Sequence, residues 1–164
     1  MVEQLVKLKS INLCSNSIGQ MMVELMVNPP IQDVSPQTKN RFETEYKALY
    51  ESLKYRAELV TKALNSMRNI FCQEVEGAMY AFPSIKFSTK AIAAAEALGQ
   101  AVDLYYCMEV LKNTGIALVP GSGFRQAPGT YHFRITTLIL PEPRLAHKLE
   151  SLQKFNEDFH KKYE

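Results

Sequence analysis

Apolar positions along the chain recur with two different periods, and the switch between the periods marks out its elements. Val2, Leu5, Val6 and Leu8 recur at helical spacing, which predicts a helix at the start. Residues 11–20, rich in Ser and Asn, read as a turn, and Ile18, Met21, Met22, Leu25 and Met26 form a second, short helical stripe. Asn28-Pro29-Pro30 stops that helix, and residues 31–38 read as a linker. Phe42, Tyr46, Leu49, Leu53, Ala57, Val60 and Leu64 then step along one face of a helix over residues 39–65. At about 1.5 Å per residue it would be roughly 40 Å long, more than one small core needs, so it is expected to link two bodies.

The period shortens after that helix. Residues 70–75 and 78–82 read as two strands around a tight Glu76-Gly77 turn. Ser88 or Thr89 is placed to cap an alanine-rich helix that Gly99 ends, and Asp103 to cap the next, which Gly115 ends. Residues 116–119 read as a buried strand stopped by Pro120, and residues 131–138 as a second, β-branched and aromatic one. Pro141-Glu142-Pro143 opens a last helix with Leu145, Leu149, Leu152, Phe155 and Phe159 on one side, and His160, Lys161 and Lys162 suit the dipole at its end. The order predicts an α/β chain whose α+β domain is a small sheet with helices packed on it, preceded by a long connecting helix.

Composition narrows the function classes. The net charge is +2 and the lysines are scattered, which argues against a nucleic-acid surface. No apolar run approaches the ~20 residues of a membrane span, and the first ten residues lack the apolar core of a signal peptide. Cys14, Cys72 and Cys107 form no CxxC pair and read as free thiols in a reducing compartment, Cys14 as a small buried filler. His132, His147 and His160 have no metal-ligand spacing, so no metal site is expected. Glu58 and Lys62 stand in the favourable i, i+4 order for a helical ion pair.

The candidate chemistry lies in VPGSGFRQAPGTYHFRIT, residues 119–136. Gly121 and Gly123 would let the backbone turn sharply and approach a ligand closely. As a phosphate loop the stretch fails, because Gln126 stands where GxGxxG needs glycine. Arg134 lies in an apolar run, where an unpaired charge would cost roughly several kcal/mol, so it calls for an anion. By residue type alone, that anion is more often an internal carboxylate than a ligand. His132 shares the face of Arg134 by the strand period and reads as structural, while Tyr131 and Phe133 point to the core.

VPGSGF, GTYHFR, EGAMYAFP and the LC-x-N-x-IGQ…LMVNPP stretch, in this order along nearly the whole chain, resemble the alanine aminotransferases. These are pyridoxal-phosphate enzymes of the aspartate-aminotransferase fold, fold type I. The resemblance implies a parent enzyme that exchanges L-alanine and 2-oxoglutarate for pyruvate and L-glutamate, with a related aminotransferase of the same fold as the other reading. It assigns Arg134 to the α-carboxylate of the amino acid, with Gly121, Ser122, Gly123 and Phe124 lining the cleft. Transamination breaks the Cα–H bond, and a carboxylate pinned by two parallel N–H bonds fixes the rotation that aligns it; lysine would hold charge but not angle.

The same resemblance implies what this chain leaves to the rest of its parent. The lysine that binds the cofactor stands in an SxSK-like motif upstream in the family, and none of Lys7, Lys9, Lys39 or Lys47 has that context. The chain is therefore expected to be a C-terminal portion, inactive alone, with no catalytic residue of its own and without bound pyridoxal phosphate. Residues 1–38 would be the tail of the large domain, 39–65 the connecting helix and 66–164 the small domain. The implied partners are the missing large domain, a second copy in a homodimer, and a small amino acid or 2-oxo acid, in the cytoplasm or mitochondrion. Residues 14–20 would approach a partner's active site. Ser15, Ser17 and Arg125 depart from the family pattern, Arg125 standing where glycine is common. A non-catalytic oligomerisation module is the reading from another class.

Overall fold

The computed structural model describes every residue except Asn12 and Ser15. The chain divides into two compact units, Met1–Ala48 and Leu49–Glu164, and the division falls inside its longest helix.

The first unit holds α1 (Val2–Ile11), α2 (Ser17–Val27) and the start of α3 (Pro36–Asn65). Of the stretch 11–20 expected as a turn, Ile11 closes α1 and Ser17–Gln20 open α2, while Asn12 and Ser15 lie outside the described residues. The helix starts at Ser17 because Asn16 caps it, its side-chain oxygen accepting from the Gly19 N–H at 3.0 Å. Asn28 stops it, its N–H donating to the Glu24 carbonyl at 2.7 Å. The linker is shorter than expected, because Ser35 Oγ accepts from the Thr38 N–H at 3.2 Å and starts α3 at Pro36. Neither α1 nor α2 buries a residue, and Ile18, Met21, Met22, Leu25 and Met26 are all exposed. Cys14 is exposed as well, so it is not the buried filler expected from its residue type.

The second unit contains the core. The far end of α3 contributes Arg56, Val60 and Leu64, so only the last part of its seven-residue stripe is buried; Phe42, Tyr46 and Leu49 are exposed. Glu58 and Lys62 make no ion pair within 4.0 Å. The strands are short: β1 (Ile70–Phe71), β2 (Tyr80–Ala81), β3 (Ser84–Ile85), β4 (Val119–Pro120) and β5 (Phe133–Thr136). All pairs are antiparallel, in one sheet of order β1-β3 and another of order β2-β5-β4. The hairpin expected around Glu76-Gly77 does not form. Ile70 pairs with Ile85 and Tyr80 with Thr136, because β1 and β2 each satisfy their backbone with a more distant strand. The buried strand expected over 116–119 is likewise reduced to Val119–Pro120, although Ile116 and Leu118, outside it, are buried.

Helices α4 (Thr89–Glu96), α5 (Val102–Thr114) and α6 (Glu142–Lys162) cover the sheet. Ser88 caps α4 as expected, accepting from the Ala91 N–H at 3.2 Å. Gly115 ends α5 in the left-handed conformation, φ 68°, which costs glycine nothing. Asp103 does not cap α5. It is the second residue of that helix and is buried, while the cap position is Ala101. Tyr106 of α5 is the centre of the core, with ring centroids of Phe87, Phe133, Phe155 and Phe159 at 5.1–6.0 Å. Its hydroxyl donates to Asn156 Oδ1 at 2.9 Å, and Asn156 Nδ2 donates to the Arg68 carbonyl at 2.9 Å, so one buried polar pair bridges α5, α6 and the turn after α3. His160, expected as a cation at the end of α6, is 5 % exposed against Phe87 and Phe159. Burial first, and the nearby Arg68 second, push its imidazole below the ordinary histidine range, so it serves the core rather than the helix dipole. None of the described helices is long and apolar enough to cross a membrane.

Candidate functional site

The site is built on β5. Phe133 and Ile135 are buried in the core, while Arg134 and Thr136 are half-buried on the opposite face. Strand alternation thus sends the arginine outward because its two neighbours are needed inside. Tyr80 stands opposite Thr136, diagonal to Arg134, and Val119 stands directly opposite Arg134.

These pairings lay the guanidinium on an aromatic bed. Its carbon lies 4.3 Å from the ring centroid of Tyr80 and 5.3 Å from that of Phe124. Phe124 meets Phe82 edge-on at 5.4 Å, and Phe82 stacks face to face on the His132 ring at 5.1 Å and 2°. Each cation–π contact at such a partly exposed place contributes about 0.5–1 kcal/mol. Among the described residues no Asp or Glu oxygen lies within 4.0 Å of Arg134. The internal ion pair that residue type alone favours is absent. What remains is a fixed, fork-shaped donor with its charge uncompensated, and its chemical match is a carboxylate or a similar planar anion.

Behind the bed lies the buried carboxylate of Asp103. Its Oδ2 accepts from the Ser122 N–H at 2.7 Å and from Gln126 Nε2 at 3.0 Å, while Oδ1 is enclosed without a partner. Gln126 Oε1 in turn lies 3.1 Å from His132 Nδ1. A hollow of about 450 Å³ opens beside His132, lined also by Lys86 and Phe87.

Of the residues singled out from sequence, Arg134 and Phe124 are brought into contact. Gly121 and Ser122 lie behind the bed, where Gly121 donates to the His132 carbonyl at 2.7 Å. Gly123 is exposed, with open space where a Cβ would stand. Residues 121–124 form a single 3₁₀ turn, and neither Gly121 nor Gly123 needs glycine's backbone freedom. Gly121 is required for space, since a Cβ there would meet Gln126 Oε1 at 2.2 Å and the His132 carbonyl at 2.8 Å. The left-handed residue is Arg125, φ 56°, which holds the conformation that glycine adopts without penalty. Sequence reasoning missed Tyr80, Phe82, Asp103 and Gln126. For the first two a signal existed, since Tyr80 and Phe82 flank Ala81 and share a face by period two.

No protein-family model matches the chain. The probable mitochondrial alanine aminotransferase of Dictyostelium discoideum is 45% identical over 160 residues, which are 98% of this chain and 29% of that protein. The glutamate–glyoxylate aminotransferase 1 of Arabidopsis thaliana is 42% identical over 164 residues, 99% of this chain and 33% of that one. The chain is homologous to a part of the fold-type-I aminotransferases. It spans about a third of the length of the curated relatives it matches. Among solved structures, the alanine aminotransferase of Pyrococcus furiosus superposes with a TM-score of 0.64 at 26% identity, over 93% of this chain and 33% of that one.

Proposed function

We propose that the chain is the carboxylate-binding portion of a pyridoxal-phosphate-dependent aminotransferase acting on L-alanine and 2-oxoglutarate. In this reading residues 1–38 belong to the large domain, 39–65 connect, and 66–164 form the small domain. The observation that carries it is the arginine: Arg134 lies on Tyr80 and Phe124 with no carboxylate of the described residues within 4.0 Å, in a chain 45% identical to a probable alanine aminotransferase. Two parallel N–H bonds from the guanidinium would hold the amino acid's α-carboxylate and fix its rotation. The rings beneath would keep water from one side of the pair, and Gly121, Ser122 and Gly123 form the turn that presents Phe124. Glutamate–glyoxylate exchange is the neighbouring reading, since a relative of that name is nearly as similar.

The residues of this chain fit the substrate's acid group but do not fit the cofactor. No lysine in residues 49–164 is buried; Lys148, the one that is partly covered, already donates to the Thr114 carbonyl at 2.9 Å. The cofactor and its chemistry belong to the rest of the parent protein, and the chain alone is inactive. The test is a ¹⁵N-edited NMR titration of the chain with L-alanine, 2-oxoglutarate and alaninamide. The Arg134 Nε–H resonance should move with the two acids and stay still with the amide; equal responses to alanine and alaninamide overturn the reading. Borohydride treatment after adding pyridoxal phosphate should trap no stoichiometric adduct at a single lysine.

A second reading rests on α1 and α2, which bury no residue and expose Ile18, Met21, Met22, Leu25 and Met26. Such a stripe suits association with the missing domain or a second copy.

A further inference from the structure

We propose that Asp103 is a positioning residue for the carboxylate site, holding the Phe124 side of the aromatic bed through two hydrogen bonds to one oxygen. This rests on the reading of Arg134 as a carboxylate ligand. The first bond clamps the turn: Oδ2 accepts from the Ser122 N–H at 2.7 Å, two residues before Phe124, whose ring lies under the guanidinium. The second fixes His132. Gln126 must present its amide nitrogen to Oδ2, at 3.0 Å, because a carboxylate can only accept. Its carbonyl end is then forced toward His132, where Oε1 lies 3.1 Å from Nδ1. A carbonyl can only accept, so Nδ1 carries the proton. In the neutral ring Nε2 is left as an acceptor; among the described residues it has no hydrogen-bond partner, and it is not enclosed. The ring so oriented stacks on Phe82, and Phe82 supports Phe124. The Phe124 side of the bed beneath Arg134 is thereby tied by two routes to a single buried group.

Three further features bear on how this buried group is held. Asp103 is 2 % exposed, yet its Oδ1 has no partner, a cost that an apolar residue would avoid. Its place in the first turn of α5 lets the helix N-terminus support the charge. Gly121 is bare where a Cβ would push into Gln126 and His132, so the relay and the missing side chain occupy the same space. The arrangement presents a ligand with a cation at Arg134 and, two residues earlier on the same face, a hydrogen-bond acceptor at His132.

The test is carried out on the whole chain with Asp103→Leu, which removes the shared acceptor, and Gln126→Ala, which removes the link to His132. At a pH where the imidazole is neutral, ¹⁵N shifts report which ring nitrogen is protonated. Wild type is expected to hold the proton on Nδ1. Gln126→Ala should move it largely to Nε2. Titration with 2-oxoglutarate should show both Asp103→Leu and Gln126→Ala weakened about tenfold. A wild-type proton on Nε2, or a tautomer indifferent to Gln126→Ala, overturns the proposal. So does a wild-type-like 2-oxoglutarate affinity in both variants. If wild type binds no carboxylate while the tautomer shifts as expected, the relay stands and the assignment of Arg134 fails instead.

Discussion

Replacing Arg134 by alanine separates a ligand-binding arginine from a structural one, because the two predict opposite balances of stability and affinity. The guanidinium has two cation–π contacts, at 4.3 and 5.3 Å, together about 1–2 kcal/mol, and no carboxylate within 4.0 Å. Against that stands the cost of keeping a half-buried charge uncompensated. Arg134→Ala should therefore change stability by at most about 1–2 kcal/mol, under roughly 1 M in the urea midpoint at an m-value near 2 kcal/mol/M. Loss of a buried ion pair would instead cost roughly 3–5 kcal/mol. Carboxylate binding should fall by about 2 kcal/mol, near 30-fold, the low end for removing one partner of a charged pair because the site is half open. Arg134→Lys should recover part of that loss and not the angle. Paired urea unfolding and NMR titration with 2-oxoglutarate give both numbers. A destabilisation above about 3 kcal/mol with an unchanged titration would refute the reasoning.

Two other perturbations test the core that carries the site. Tyr106→Phe keeps the ring but leaves the Asn156 Oδ1 acceptor without its donor, so it should cost about 1–3 kcal/mol in urea unfolding; a cost below about 0.5 kcal/mol would mean that water replaces the hydroxyl. His160 makes stability depend on pH with a definite sign. Its folded pKa is lowered, chiefly by burial and then by Arg68, against the opposing pull of Glu157 and Glu164. The unfolded chain therefore binds the proton more readily, so this contribution is intact above about pH 6.5 and is lost as pH falls below it, by at most about 1.36 kcal/mol per pH unit. Urea midpoints between pH 7.5 and 5 should fall more steeply for wild type than for His160→Phe, and equal slopes would remove His160 from the account.

What could be read from sequence was local. The Ser88 cap, the left-handed Gly115 and the apolar stripe of α6 depend on residues within one or two turns of each other, and all three stand as expected. The hairpin at residues 70–82 failed because strand partners are chosen by non-local pairing: Ile85 and Thr136 were better placed than each other's neighbours across Glu76-Gly77. Asp103 was misread for the same reason. At the start of a helix a carboxylate looks like a cap, and nothing nearby in sequence reveals that its donors are Ser122 and Gln126. Arg134 itself was legible as a charge in need of a partner, but the absence of an internal one is a fact of three dimensions.

The site is specified by the core more than by its own residues. Arg134 faces outward because Phe133, fully buried, and Ile135 occupy the inner face, against Tyr106 in the case of Phe133. In an antiparallel pair a one-residue slip exchanges the two faces, which would drive the guanidinium into the core and expose Phe133 and Ile135. Burying those two side chains is worth roughly 1.5–3 kcal/mol each, and an unpaired guanidinium in the core would cost several more. The register that brings Tyr80 diagonal to Arg134 and Val119 opposite it is therefore held by hydrophobic burial, and the cation–π bed follows from it. The arginine needs no internal carboxylate to keep its place, which is the condition for leaving its charge to a ligand.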